Sequence, residues 1–104
     1  MSRNNKHLAK NNNGRSLLQS TSPEFYFKVV DGSEIKSLAE LADALDRMSD
    51  DSFFYHANEQ RNDFANWIRD IFSEQQLAEQ MTKCNSRLGA EVCLLRHFVR
   101  EINK

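Results

Sequence analysis

Glycine is scarce: there are three in 104 residues, and none lies between positions 33 and 88. A phosphate cradle needs a glycine-rich loop so that backbone can approach the anion closely, and none is available here. Cysteine is limited to Cys84 and Cys93, whose spacing fits neither a CxxC pair nor a zinc pattern. A secreted scaffold stapled by disulfides would carry more, so the two thiols read as small core hydrophobes in a reducing, cytoplasmic setting. No apolar run approaches ~18 residues, so no membrane span is expected. Leu8-Ala9 is followed by Lys10 and three asparagines where a signal peptide would need its apolar centre. HExxH and nucleophile-elbow patterns are also missing. The three histidines, His7, His56 and His97, fall in a tail, at a helix junction and on an outward helix face. Acid–base work could recruit only His56, Asp63 or Asp70, and His56 with a carboxylate is the sole metal pairing. The two aspartates stand seven apart, about two helical turns or ~10 Å, and read as a solvated face. We therefore expect no enzyme, no cofactor and no metal.

Charge is unevenly spread. Residues 1–22 carry Arg3, Lys6, Lys10 and Arg15 with no acid, so in a chain of net charge −1 the remainder carries −5. The first 22 residues offer only Leu8, Leu17 and Leu18 for burial. That cannot offset roughly 1–2 kcal/mol of backbone entropy per ordered residue. A disordered, asparagine-rich basic arm is expected over 1–22, and a single small domain over 23–104. Pro23, the only proline, marks the boundary.

The domain reads as α+β and mostly helical, with an N-terminal hairpin followed by about four helices. Phe25, Phe27 and Val29 alternate along one strand, Asp31-Gly32 supplies the positive φ angles of a tight turn, and residues 33–37 return with Ile35. Ser37 and Glu40 form a capping box before Leu38, Leu41, Ala42, Leu45 and Met48, which follow at helical spacing. Residues 52–57 suit either a short helix or a third strand, and Ser49-Asp50-Asp51 favours the helix. Ser73 and Gln76 form a second box ahead of a helix lined by Leu77, Ala78, Met81 and Cys84. The last helix, 87–102, is expected to bury Leu88, Val92, Leu95, Val99 and Ile102. Their spacing resembles two heptads and reads as a packing face rather than a coiled coil.

His56 to Phe72, HANEQRNDFANWIRDIF, is the densest stretch and holds the only tryptophan. With Asn58 as N-cap, a helix through Phe72 gathers Phe64, Trp67, Ile68, Ile71 and Phe72 within an arc of about 140°. Asn62, Asn66 and Arg69 share the opposite side, with Asp63 and Asp70 beside them toward the tryptophan edge. The Trp67 N–H is placed to reach one of those carboxylates. Asparagine costs roughly 0.5–0.7 kcal/mol per helical position relative to alanine, so two on one face call for a reason. Either a partner or a local bond to the junction around His56 and Asn58 supplies it.

This stretch, written H-x-N-x₃-N-D-F-x-N-W-I-R-D-I-F, resembles a small domain family of archaeal and bacterial proteins of unknown function. The similarity runs from about Phe25 to Cys84. It rests on His56, Asn58, Asn62, Asp63, Phe64, Asn66, Trp67, Arg69 and Asp70, with the hairpin and SLAELADAL helix around them. It implies a module with no established activity, and leaves the arm and the final helix outside the resemblance.

The expected function is a binding or regulatory domain that recognises a protein through the polar face of the 58–72 helix. His56, Asn58, Asn62, Asp63, Asn66, Arg69 and Asp70 are the candidate site. The alternative is a nucleic-acid or ribonucleoprotein binder using Arg3, Lys6, Lys10 and Arg15, whose four cations match at most about four phosphates. Oligomeric state and partner identity are not legible.

Overall fold

The structure, a computed structural model, describes residues 17–104. Among them a two-stranded antiparallel hairpin, β1 (Phe27–Lys28) and β2 (Glu34–Ile35), precedes five α-helices. These are α1 (Leu38–Arg47), α2 (Asp50–His56), α3 (Asp63–Phe72), α4 (Gln75–Thr82) and α5 (Arg87–Ile102). The mostly helical α+β class holds, and the 52–57 segment is helical up to His56.

Leu17 and Thr21, assigned above to a disordered arm, are tied to the body. Leu17 is 3 % exposed within the core, and the Thr21 N–H donates to the Lys36 carbonyl at 2.8 Å. One leucine and one backbone bond suffice here because the segment lies beside the hairpin's returning chain. Ser22 is extended, as a residue before proline should be, but Pro23–Phe25 form a turn of 3₁₀ helix rather than strand. Phe25 consequently points outward.

The strands pair Phe27 with Ile35 and Lys28 with Glu34. This register buries the first pair and leaves an ion pair of 3.4 Å on the outer side. The turn is longer than the expected two residues. Gly32 N–H donates to the Val29 carbonyl and Val29 N–H to the Ser33 carbonyl. Gly32 alone in this turn takes a positive φ, 97°, so the loop is Val30-Asp31-Gly32. The Asp31 carboxylate accepts the Ser33 N–H and hydroxyl, which hold its pKa below the usual carboxylate value.

Caps set the helix starts. The Ser37 hydroxyl accepts the Glu40 N–H at 3.1 Å, while the Glu40 carboxylate reaches back to the Lys36 N–H, one residue beyond the expected box. Ser49 caps α2 and Ser86 caps α5 in the same manner. The second predicted box does not form. Ser73 instead takes the left-handed conformation, φ 56°, at the end of α3, where Glu74 N–H returns to the Ile68 carbonyl.

The core is aromatic at one end. Phe64 stacks on Phe27 at 4.9 Å and on Phe53 at 5.8 Å, and Phe27 meets the edge of Trp67. The buried indole N–H donates to the Phe25 carbonyl at 2.7 Å, not to a carboxylate as anticipated. That bond ties α3 to the chain entering the hairpin, and it satisfies a carbonyl that the 3₁₀ turn leaves free.

Helix α5 departs most from expectation. Its buried face is Ala90, Leu94 and His97; the predicted face of Leu88, Val92, Leu95, Val99 and Ile102 is exposed, at 44–65 %. His97, expected outside, is inside. The reason is Arg87. Its guanidinium donates to the Leu45 and Asp46 carbonyls at the end of α1, at 2.8 and 3.1 Å, and to Asp50 of α2 at 2.9 Å. Residues three, seven and ten positions on from Arg87 share its side of the helix, and those are Ala90, Leu94 and His97.

Candidate functional site

The predicted site residues divide into two groups. His56, Asn58, Asn62 and Asp63 are spent on the corner joining α2 to α3. His56 is buried at the end of α2, and its Nε2 accepts the Val30 N–H at 3.0 Å. Accepting there requires Nε2 to be unprotonated, so the Nδ1–H donates to Asp63 at 3.0 Å. The imidazole is thus a neutral two-ended link between hairpin and α3. Arg61 donates to the same Asp63 oxygen at 3.2 Å, and to the Tyr55 carbonyl at 2.9 Å while lying over the Tyr55 ring.

The helix does not begin at Asn58. That side chain donates to the Phe54 and Tyr55 carbonyls ending α2 and accepts the Gln60 N–H. It terminates one helix and folds the turn 58–61, while Ala57 and Asn62 bridge its ends. Asn62 is the N-cap of α3, accepting the Ala65 N–H at 3.0 Å and donating to the Met81 carbonyl of α4 at 3.3 Å. Asn62, expected on an outer strip, is therefore turned toward α4, while Asn58, expected as the N-cap, stays exposed and bonds to local backbone. Each supplies both a donor and an acceptor to nearby backbone, which an ionised aspartate cannot do.

Asn66, Arg69 and Asp70 are exposed, with Arg69 and Asp70 paired at 3.0 Å. Arg69 borders a groove of about 470 Å³ between α3 and α4, whose other walls are Gln75, Gln76, Ala78, Glu79 and Thr82. The sequence reading missed the contribution of α4. Its polar residues at 75, 76, 79 and 82 recur at helical spacing and carry the signal. A second cleft of about 590 Å³ lies over the 57–62 turn, with Phe54, Ala57 and Cys84 as its apolar surface.

Both thiols are free and partly buried. Cys93 is half-buried, and burial first, then the adjacent Cys84, push its pKa up to about 11. His97 Nε2 stands 3.7 Å from the Glu74 carboxylate without a hydrogen bond. Among the described residues no three His, Cys, Asp or Glu side chains gather as a metal site would need, and no helix is long and apolar enough to cross a membrane. Arg3, Lys6, Lys10 and Arg15, which carry the nucleic-acid alternative, lie outside the described residues. Of the arginines on α5, Arg87 is occupied internally while Arg96 and Arg100 are exposed; Lys104, beyond the helix, pairs with Glu101.

Fold and site together define a small hairpin-plus-helices domain in which the start of α3 anchors one corner and Asn66, Arg69 and Asp70 face outward. The chain belongs to a family described as of unknown function, DUF5752, whose model matches residues 22–102. The match takes in α5, so the final helix, set outside the resemblance above, is part of the family's domain. No curated protein and no solved structure matches the chain.

Proposed function

We propose that this is a non-enzymatic protein-binding domain that recognises its partner along the outer face of α3 and the α3–α4 groove. The supporting observation is the division of labour among the polar residues. The groups suited to acid–base work, His56 and Asp63, are bonded to each other and to structural partners. Asn66, Arg69 and Asp70 have no such duty and adjoin the amide-rich groove of Gln75, Gln76, Glu79 and Thr82. Amide and guanidinium groups at the rim suit a partner segment offering backbone carbonyls and a carboxylate, the latter received by Arg69.

The test is co-purification from the native host, comparing the unaltered chain with Asn66→Ala/Arg69→Ala. Loss of specific co-purifying proteins, with an unchanged circular dichroism spectrum, is the expected result. Retention of the same proteins by a folded double variant contradicts the proposal.

A further inference from the structure

The outward seam of α5 has features that a merely solvated surface does not require. Leu88, Val92, Leu95, Val99 and Ile102 recur at intervals of four, three, four and three. In heptad terms Val92 and Val99 occupy a, and Leu88, Leu95 and Ile102 occupy d. β-Branched residues at a with leucine at d are the combination that favours two parallel strands. Ile102 departs from leucine only at the end of the seam.

The flanks carry opposite charge. Glu91 occupies g, close to Asp46 and Asp43 of α1, and its carboxyl is raised above the usual value by burial first and then by Asp46. Arg96 occupies e on the other flank, sharing a surface groove of about 320 Å³ with Arg100 and Lys83. A g residue of one strand meets the e residue five positions later on its parallel partner, and Glu91 and Arg96 are five apart. A two-fold axis along the seam would bring each acidic flank against the other copy's basic flank twice over, which a head-to-tail arrangement would not.

We propose that the chain forms a parallel two-fold homodimer through the α5 seam, with Glu91 of each copy paired to Arg96 of the other. The interface uses a face of the molecule separate from the α3–α4 groove, and the proposal stands independently of the function assigned to that groove. Two heptads make a small interface, so the dimer should have a dissociation constant in roughly the micromolar range.

Sedimentation velocity on the full chain from ~1 to ~500 μM tests this, that window spanning the expected dissociation constant. A shift from monomer to dimer across the range is expected. Leu95→Lys should remain monomeric throughout while keeping the native circular dichroism spectrum, since Leu95 contributes little to the monomer core. Glu91→Arg and Arg96→Glu should each weaken self-association at least about tenfold, and mixing the two variants should restore dimers as heterodimers. A chain that stays monomeric at every concentration overturns the proposal, as does a dimer that survives Leu95→Lys. Dimers that are lost in Leu95→Lys but not restored on mixing the charge variants overturn the parallel pairing.

Discussion

Helices α3 and α5 each carry a regular apolar repeat, yet α3 buries its repeat and α5 leaves its own outside. In α3, Phe64, Trp67 and Ile68 enter the core and Ile71 and Phe72 pack against it. In α5, five apolar residues remain half-exposed while Ala90, Leu94 and a histidine go inside. Leaving each of those five side chains about half in water forgoes roughly 1 kcal/mol. Something must offset that loss, and Arg87 with its three charge-assisted bonds is the group that turns the helix. On α3 the polar anchors agree with the apolar stripe: Asn62 and Asp63 at its start bond to the body on which Phe64 and Ile68 pack. A repeat therefore tells which residues lie together, and a bonded polar side chain tells which way they are turned.

The comparison can be broken at several points. The largest effect belongs to Phe64→Ala, which removes the ring shared by Phe27 and Phe53 and should cost about 3–5 kcal/mol, read from the urea midpoint. His56→Leu comes next. It strips the Val30 N–H of its acceptor and Asp63 of its donor, and should cost about 1–3 kcal/mol in the same measurement. Arg87→Ala should fall in a similar range of about 1–3 kcal/mol, and should also increase hydrogen exchange along the first turns of α5. Smallest is the asparagine pair. Asn62→Ala should lose about 1–2 kcal/mol as a helix cap with a second bond, whereas Asn66→Ala should stay within about 0.5 kcal/mol. Equal losses at both would return Asn62 and Asn66 to a common role.

Much of this fold was legible in the sequence because local chemistry was unambiguous. The α1 stripe with its serine cap, the aromatic strand entering Asp31-Gly32, and the core face of α3 all follow from spacing and capping alone. What escaped was decided over long sequence distances. Asn58 and Asn62 are both good N-caps, and only the open carbonyls of Phe54, Tyr55 and Met81 assign them to different tasks. Ser73 matched a capping pattern but closes the preceding helix. Nothing local marks Arg87, because its partners lie 37 to 42 residues away. Within the candidate site, the inward or outward sense of each side chain depended on those distant partners.

The rotation of α5 is the central claim, and adjacent leucines test it most directly. Leu94 is fully buried and Leu95 is 44 % exposed. Urea unfolding of Leu94→Ala and Leu95→Ala, at protein concentrations low enough to keep the chain monomeric, should show a loss of about 2–5 kcal/mol for the first and under about 1 kcal/mol for the second. The reverse order would mean that the heptad face packs inward and that Arg87 does not orient the helix.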